Sequence, residues 1–182
     1  MDLQRTKNTF SGFTLLELMV SISIMAITLS LGIPSFGEFI QNQRLRSENQ
    51  RLHIDLLFAR SMAVNQGQQV IICASAGGNS CADTGNWGQG WMIFIDSNND
   101  REYQQQEQRL RIAAAMDSLQ ARSSIYRRKI RFYPDGSAAG SAAKITICDF
   151  RGRNYARELV IANSGRVRQI KRVAEGISLN CG

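Results

Sequence analysis

Residues 11–33 of the chain read SGFTLLELMVSISIMAITLSLGI, and this stretch decides how the rest of the sequence is interpreted. From Phe13 to Ile33 it contains 21 residues with a single charge, Glu17. A helix of that length spans about 31 Å, which is the thickness of a bilayer hydrocarbon core. Arg5 and Lys7 precede it as a positive flank of the kind that remains cytoplasmic. The sequence therefore predicts a membrane helix over residues 13–33.

The apolar segment is not followed by the small-residue cleavage site of a secretory signal peptide, and a helical pattern continues beyond Pro34. We therefore expect the segment to be retained in the mature protein. A carboxylate such as Glu17 within a membrane span costs roughly 2.5 to 3.5 kcal/mol on insertion scales. Its side chain therefore needs either a charged partner or a location at the level of the lipid headgroups.

The residues SGFTLLE at 11–17, with the apolar run behind them, resemble the class III signal of type IV pilins and type II secretion pseudopilins. The resemblance implies that a prepilin peptidase removes residues 1–12 by cutting between Gly12 and Phe13, and that it methylates the new terminus of Phe13. It also implies that Glu17 neutralises the terminal amine of a neighbouring subunit during filament assembly. The expected locations are the bacterial inner membrane, crossed once, and then an extracellular type IV pilus, with its tip as one possible position.

The helical pattern continues beyond the apolar segment, and the remainder of the chain is β-like. Leu45, Leu52, Leu56, Ala59 and Ala63 recur at spacings of 7, 4, 3 and 4, which places them on one helical face. We therefore predict one helix over residues 13–65, transmembrane first and amphipathic after it. Residues 66–182 contain short β-like runs without intervening helices, which predicts an antiparallel sheet or sandwich packed on the helix. The predicted strands are residues 69–73, 91–95, 109–113, 125–132, 144–148, 159–162 and 166–170.

The fold class is therefore α+β, and the resemblance to pilins implies the pilin fold. Four cysteines are present, and they allow three pairings if all are oxidised. A zinc site is weakly supported, because no two cysteines form a C-x-x-C pair and the only histidine is His53. We favour two disulfides, which close one short loop and attach the last residues to a strand. The favoured pairs are Cys73 with Cys81 and Cys148 with Cys181.

No signature of an enzyme, cofactor or metal site is convincing. The sequence contains no G-x-S-x-G motif, Walker loop or H-E-x-x-H motif. Oxygen-bearing side chains from Asp96 to Glu107 are faintly like a calcium loop, but Arg101 stands where that loop requires glycine. We interpret this segment as a polar hairpin turn and expect a protein that is not an enzyme.

The net charge of +7 is unevenly distributed along the chain. Residues 101–182 carry 16 Lys and Arg against 7 Asp and Glu, a net +9, whereas residues 1–100 carry 6 against 8, a net −2. Such an asymmetry suggests a polyanion or an anionic membrane as partner. The alternative is a solvated basic surface that only keeps the protein soluble.

Four segments of the β region resemble the GspH/FimT/FimU group of minor pilins and pseudopilins: WGQGWMIFID, IRFYPDGS, ITICDFRGR and ARELVIANSGRVR. Within the last segment, Gly165-Arg166-Val167-Arg168 matches the GRxR motif of the DNA-binding FimT pilins of natural transformation. Asn163-Ser164-Gly165 reads as a hairpin turn, so Arg166 and Arg168 should share one face of the following strand. The resemblance implies that both arginines contact phosphates, and that further basic residues extend the patch: Lys171, Arg172, Arg127, Arg128, Lys129 and Arg131.

The sequence thus predicts a minor pilin that captures extracellular double-stranded DNA for uptake in natural transformation. Its expected partners are double-stranded DNA, other major and minor pilins, the prepilin peptidase and the inner membrane. The alternative is a structural FimU-like or GspH-like subunit that primes filament assembly without a ligand. One continuous basic face that includes Arg166 and Arg168 would favour DNA, whereas basic residues paired with acids would favour the structural role.

The first prediction concerns processing. The intact mass of the filament-associated protein should correspond to a chain that begins at Phe13 and carries one added methyl group, because the leader resembles the class III signal. A mature terminus beyond residue 34 would contradict the pilin assignment.

Overall fold

The protein is described from a computed structural model, which covers residues 12–123, 127–170 and 181, without the side chains of residues 31–35. The chain divides into two compact units, one ending at Ile40 and the other beginning at Gln41. The predicted leader, residues 1–12, lies outside the described residues except for Gly12. Arg5, Lys7, Lys171 and Arg172 also lie outside them.

The helix α1 extends from Leu15 to Gln66 and comprises 52 residues. It begins with Thr14, whose side-chain Oγ1 accepts a hydrogen bond of 3.2 Å from the backbone N–H of Glu17. Within the first unit large apolar side chains of this helix are exposed, among them Leu15, Leu16 and Leu18. Among the described residues, no helical stretch is long and apolar enough to cross a membrane.

In the described part of the chain, eight strands follow the helix and form two antiparallel four-stranded sheets. The first sheet has the order β3-β2-β1-β5, and the second has the order β4-β6-β7-β8. Two short 3₁₀ turns, Trp87–Gln89 and Arg153–Tyr155, interrupt the connections. The strands are β1 (Val70–Ala74), β2 (Trp91–Ile95), β3 (Arg109–Ala113), β4 (Gln120–Ser123), β5 (Lys129–Phe132), β6 (Ala143–Cys148), β7 (Arg157–Ile161) and β8 (Val167–Ile170).

The predicted strand at 125–132 was wrong at residues 127 and 128, residues 125 and 126 lie outside the described part of the chain, and one strand was missed. Arg127 and Arg128 precede β5, which begins at Lys129. The missed strand is β4, whose sequence QARS carries no large apolar residue. Its inward positions are Ala121 and Ser123, and these small side chains give only a weak period-2 signal.

One face of the helix forms the core together with both sheets. The five predicted positions on that face are all buried: Leu45, Leu52, Leu56, Ala59 and Ala63. They belong to a single hydrophobic cluster with residues of the first sheet such as Ile72 and Ile93. Residues of the second sheet, including Ile145 and Leu159, belong to the same cluster. The predicted α+β fold, a helix packed on antiparallel sheets, is thereby confirmed.

The two central strands of the first sheet, β1 and β2, are buried on both faces. Ile71, Cys73, Met92 and Phe94 point away from the helix and form a second, smaller cluster. Cys81, which is joined to Cys73 by a disulfide, packs against this cluster together with Tyr103. Burial on two sides explains why β1 and β2 read as continuous apolar runs rather than as alternating patterns.

A buried carboxylate connects the helix to the first sheet. Asp55 accepts a hydrogen bond of 2.8 Å from the indole Nε1 of Trp91 on β2. It also forms an ion pair with Arg111 on β3. The guanidinium of Arg111 lies 4.1 Å from the ring centroid of Phe58, one helical turn further along α1. These contacts fix the helix relative to β2 and β3 with a directionality that apolar packing alone lacks.

The turn between β7 and β8 packs against another turn, and Gly165 permits this close approach. Gly165 has a φ of +75°, and its N–H donates to the carbonyl of Ala162 at 2.9 Å. A Cβ at this position would lie 1.9 Å from the carbonyl oxygen of Gly136. That oxygen accepts a hydrogen bond of 2.8 Å from Nε of Arg60 on the helix. The glycine of the GRxR motif is therefore required by backbone packing.

The second prediction is that Asp55→Ala destabilises the domain by about 2–4 kcal/mol, because it leaves the indole N–H of Trp91 and the guanidinium of Arg111 without their acceptor. Urea unfolding of the chain from Gln41 onward measures the loss. The control is Asp117→Ala, which removes an exposed ion pair with Arg44 at 3.7 Å. Its effect should be at most about 0.5 kcal/mol. Equal effects of the two variants would contradict the role of Asp55.

The third prediction separates backbone strain from steric contact. Gly165→Ala should cost about 2–4 kcal/mol, because alanine is strained at positive φ and its Cβ would clash with Gly136. Gly140→Ala is the matched control, since Gly140 has a φ of +70° and open space around it. It should cost about 1–2 kcal/mol. If both variants unfold at the same urea concentration, the turn packing does not constrain Gly165.

Candidate nucleic-acid interface

The two arginines of the GRxR motif lie at the edge of the second sheet. Arg166 precedes β8 by one residue, but its carbonyl accepts a 3.0 Å hydrogen bond from the N–H of Ala162, so it continues the ladder. Val167, between the arginines, is buried in the core. Because successive side chains alternate, Arg166 and Arg168 point together to the opposite face, with Cα atoms about 6.7 Å apart. Both are exposed, and neither side chain is paired with an acceptor among the described residues.

Lys144 lies on the same face as these arginines. Val160 pairs with Lys144 on one side and with Arg168 on the other. With about 4.8 Å between neighbouring strands, the Cα atoms of Lys144 and Arg168 are about 9.6 Å apart. The Lys144 side chain is 48% exposed and lies 3.5 Å from the buried carboxylate of Glu158. We call Lys144, Arg166 and Arg168 the hairpin face.

Lys144 was missed from the sequence because it is a single cation in the apolar run AKITIC. Its position between two inward-facing residues indicates that it faces outward. Only the strand pairing shows that Val160 alone separates it from Arg168.

The other predicted group, Arg127 to Arg131, lies on or just before β5 and therefore belongs to the first sheet. Arg127 donates to the carbonyl of Gly140 at 2.9 Å, and Arg128 forms a 3.2 Å ion pair with Asp83. Lys129 pairs with the carboxylate of Glu102 and donates to the carbonyl of Arg101 at 2.9 Å. Arg131 is stacked over Tyr133, at 4.4 Å from the ring centroid. Most of these cations are thus engaged within the protein.

Both favoured disulfides are present. Cys73 and Cys81 are joined across eight residues, with Cα atoms 5.6 Å apart. Cys148 and Cys181 are joined across 33 residues, with Cα atoms 5.9 Å apart. The second bond attaches residue 181 to the end of β6, in the same sheet as the hairpin face.

The carboxylates between Asp96 and Glu107 organise a turn. Asp96 accepts a 3.2 Å hydrogen bond from the N–H of Arg101, and burial raises the pKa of its carboxyl group. The two oxygens of Glu107 accept from the N–H groups of Ser97 and Gln104, at 2.9 and 3.1 Å. Within residues 12–123, 127–170 and 181, no group of three or more His, Cys, Asp or Glu is arranged to hold a metal ion. These contacts support the interpretation as a polar turn.

Glu17 lies exposed in the first turn of α1. A carboxylate at this end is favoured by the partial positive charge of the helix N-terminus. Its predicted contact with a neighbouring subunit stays a prediction, as do the cleavage after Gly12 and the methylation of Phe13.

Comparisons with known proteins support a pilin-type protein. The family model "Type II transport protein GspH" matches residues 48–165, and "Prokaryotic N-terminal methylation motif" matches residues 7–33. A curated but uncharacterized protein of Aquifex aeolicus is 33% identical over 85 residues, which are 41% of this chain. The chain spans about half of that relative, 49% of its length.

Two solved structures share the fold. The type IV minor pilin FimU of Pseudomonas aeruginosa is 22% identical with a TM-score of 0.55, over 71% of this chain and 90% of FimU. The minor pseudopilin EpsH of the Vibrio cholerae type 2 secretion system is 9% identical with a TM-score of 0.50, over 70% of this chain and 97% of EpsH. Because the GspH model matches well over half of the chain and the methylation motif precedes it, the chain belongs to the GspH family of minor pilins and pseudopilins.

Proposed function

We propose that this chain is a minor type IV pilin that binds extracellular double-stranded DNA through the hairpin face, for uptake in natural transformation. As a member of the GspH family it is a minor pilin or pseudopilin of a type IV pilus or of a type II secretion system. Such subunits associate with other pilins in a filament, and a chain with this leader is anchored in the membrane before it is incorporated. Binding of DNA is the finer part of the proposal.

The observation that carries the proposal is that the side chains of Arg166 and Arg168 are exposed and have no acidic partner among the described residues. Both guanidinium groups are exposed on one face, and neither is neutralised by a described acidic residue. Adjacent guanidinium forks suit phosphate oxygens, because each can donate two parallel hydrogen bonds. Lys144 adds a third positive charge, and it lies two strands away from Arg168 in the same sheet. Contacts to phosphate alone make binding independent of sequence and sensitive to salt.

Charge pairing distinguishes the hairpin face from the group Arg127 to Arg131. A DNA site should present cations without competing carboxylates, and on the hairpin face the neighbouring acid is Glu158, which is buried and close to Lys144. In the other group Arg128 is paired with Asp83, and Lys129 is paired with Glu102. The proposed site is therefore the hairpin face, and the expectation that Arg127 to Arg131 extend it is set aside. Lys171 and Arg172 follow directly in sequence and stay part of the proposal.

The alternative, a structural subunit that primes assembly, is favoured by a different observation. The helix exposes Ile54, Leu57 and Val64, whose spacings of 3 and 7 place them in one stripe within the second unit. Exposed apolar side chains on a helix favour contact with another protein surface. The exposed stripe on the helix and the hairpin face consist of different residues, so the two roles can be tested separately.

The fourth prediction tests the hairpin face. Each phosphate contact on B-DNA contributes about −0.9 to the slope of log affinity against log salt concentration. Arg166→Gln/Arg168→Gln should therefore flatten that slope by roughly 1.8 and weaken unrelated duplexes equally. The measurement is a gel-shift titration of the chain from Gln41 onward at several salt concentrations.

The matched control removes two charges from the first sheet. Arg127→Gln/Arg128→Gln should change the slope by less than half as much, because both side chains already bind protein acceptors. Unchanged affinity in a folded Arg166→Gln/Arg168→Gln protein would rule out the hairpin face. A larger effect of the control would move the DNA site to the first sheet.

A further inference from the structure

A polar cleft of about 320 Å³ lies beside β5, on the first sheet. Five cationic side chains line it: Arg101, Arg127, Arg128, Lys129 and Arg131. Three acidic side chains, Asp83, Asp100 and Glu102, line it as well, so the lining carries a net charge of +2. Neither the family nor the proposed DNA binding accounts for so many guanidinium groups around one small space.

Two of the five cations form ion pairs with an acid of the lining, and three do not. Arg128 pairs with Asp83, and Lys129 pairs with Glu102. The side chains of Arg101, Arg127 and Arg131 form no ion pair with any residue in the described part of the chain. Like charges held in one cleft repel one another, so an anion that enters between them lowers the free energy of the site.

Two of the arginines without an ion pair, Arg127 and Arg131, are partly held in place before a ligand binds. Arg127 uses Nη1 on the carbonyl of Gly140 at 2.9 Å, which leaves its other donors available. Arg131 is stacked on Tyr133, and its enclosed Nε has no acceptor among the described residues. Because that atom is enclosed, a ligand oxygen would bind the terminal Nη groups of Arg131, which donate to no acceptor among the described residues. Preorganised donors also reduce the entropy that binding would cost.

Charge and size decide which anion fits. The acidic partners at the cleft are exposed, with 95% of the Asp83 side chain and 66% of the Glu102 side chain accessible. A duplex lying across them would place its phosphates against these carboxylates, whereas a compact dianion between the arginines would not. The volume is at the small end of ligand sites, about 300 to 1,000 Å³. Guanidinium forks match the oxygens of a phosphate group.

We infer that this cleft binds a compact phosphate dianion, such as a phosphomonoester or pyrophosphate group, independently of the hairpin face. Arg127 and Arg131 donate to the phosphate oxygens, and Arg101 supplies further positive charge. Asp83 and Glu102 restrict the site to small ligands.

The test uses the full mature chain in detergent micelles and equilibrium dialysis against radiolabelled inorganic pyrophosphate. Saturable binding of one pyrophosphate per chain is expected. Arg127→Gln and Arg131→Gln should each weaken binding by about tenfold, since each removes a charge-assisted donor. Arg46→Gln makes the same charge change at an exposed position on the helix and should leave the dissociation constant unchanged. Arg127→Gln keeps the test valid if the more enclosed Arg131→Gln fails to fold.

Two further variants locate the anion within the molecule. Glu102→Gln removes the acid that competes for Lys129, so pyrophosphate should bind about three- to tenfold more tightly. Arg166→Gln/Arg168→Gln should bind pyrophosphate like the unmodified chain, even where duplex binding is weakened. A loss of duplex binding alone therefore leaves this inference intact, and a failure of the DNA proposal does not affect it.

Three outcomes would overturn the inference. The first is the absence of saturable pyrophosphate binding. The second is an equal loss in Arg46→Gln and Arg127→Gln, which would show a diffuse charge effect. The third is loss of pyrophosphate binding in the Arg166→Gln/Arg168→Gln variant, which would place the anion on the hairpin face instead.

Discussion

The burial of one helical face against two sheets is the constraint on which the second unit depends. Leu45, Leu52 and Leu56, with Ala59 and Ala63, are the fully buried residues that α1 contributes to the described part of the core cluster. Both sheets turn apolar side chains toward it, so neither could bury its inner face without the helix. The small residues at 59 and 63 let the backbone of the helix approach closely, and Asp55 then sets its rotation relative to β2 and β3.

The same packing decides which charges remain available. On β8 the side chain of Val167 is buried in the core. Because successive side chains alternate along a strand, Arg166 and Arg168 lie on the outer face. The first sheet is covered on its outer face as well, by the loop that the Cys73–Cys81 disulfide closes. Cations on its edge strand β5 are therefore surrounded by loop carboxylates and carbonyls. Two basic groups that look alike in sequence thus differ in what they can bind.

This difference separates two kinds of anion recognition. An exposed face of unpaired guanidinium groups suits an extended polyanion, because many weak phosphate contacts add up along it. A cleft with mixed charges suits a compact anion, since its acids oppose a long chain of phosphates. The glycine of the GRxR motif belongs to neither mechanism. Its contact with Gly136 holds the turn from which Arg166 and Arg168 project.

Much of the fold and of the candidate site could be predicted from local patterns. The apolar run after Gly12, the helical spacing from Leu45 to Ala63 and the hairpin turn at Gly165 are each set by neighbours within a few residues. Apart from the start of β5, the strands with large apolar side chains were found within one or two residues of their bounds, because periodicity is a local property. β4 was missed, since its inward residues Ala121 and Ser123 are too small to give such a pattern.

What the sequence by itself determined is therefore the order and type of most elements, the leader resemblance and the outward direction of Arg166 and Arg168. Only the tertiary structure decided that Lys144 lies beside Arg168, that Arg128 and Lys129 are neutralised, and that a phosphate-sized cleft exists beside β5. Lys144 and Arg168 are 24 residues apart along the chain, and the acidic partners of Arg128 and Lys129 are 45 and 27 residues away. Strand pairing and packing on the helix determine which of these residues come into contact. A local sequence pattern contains no information about such distant pairs.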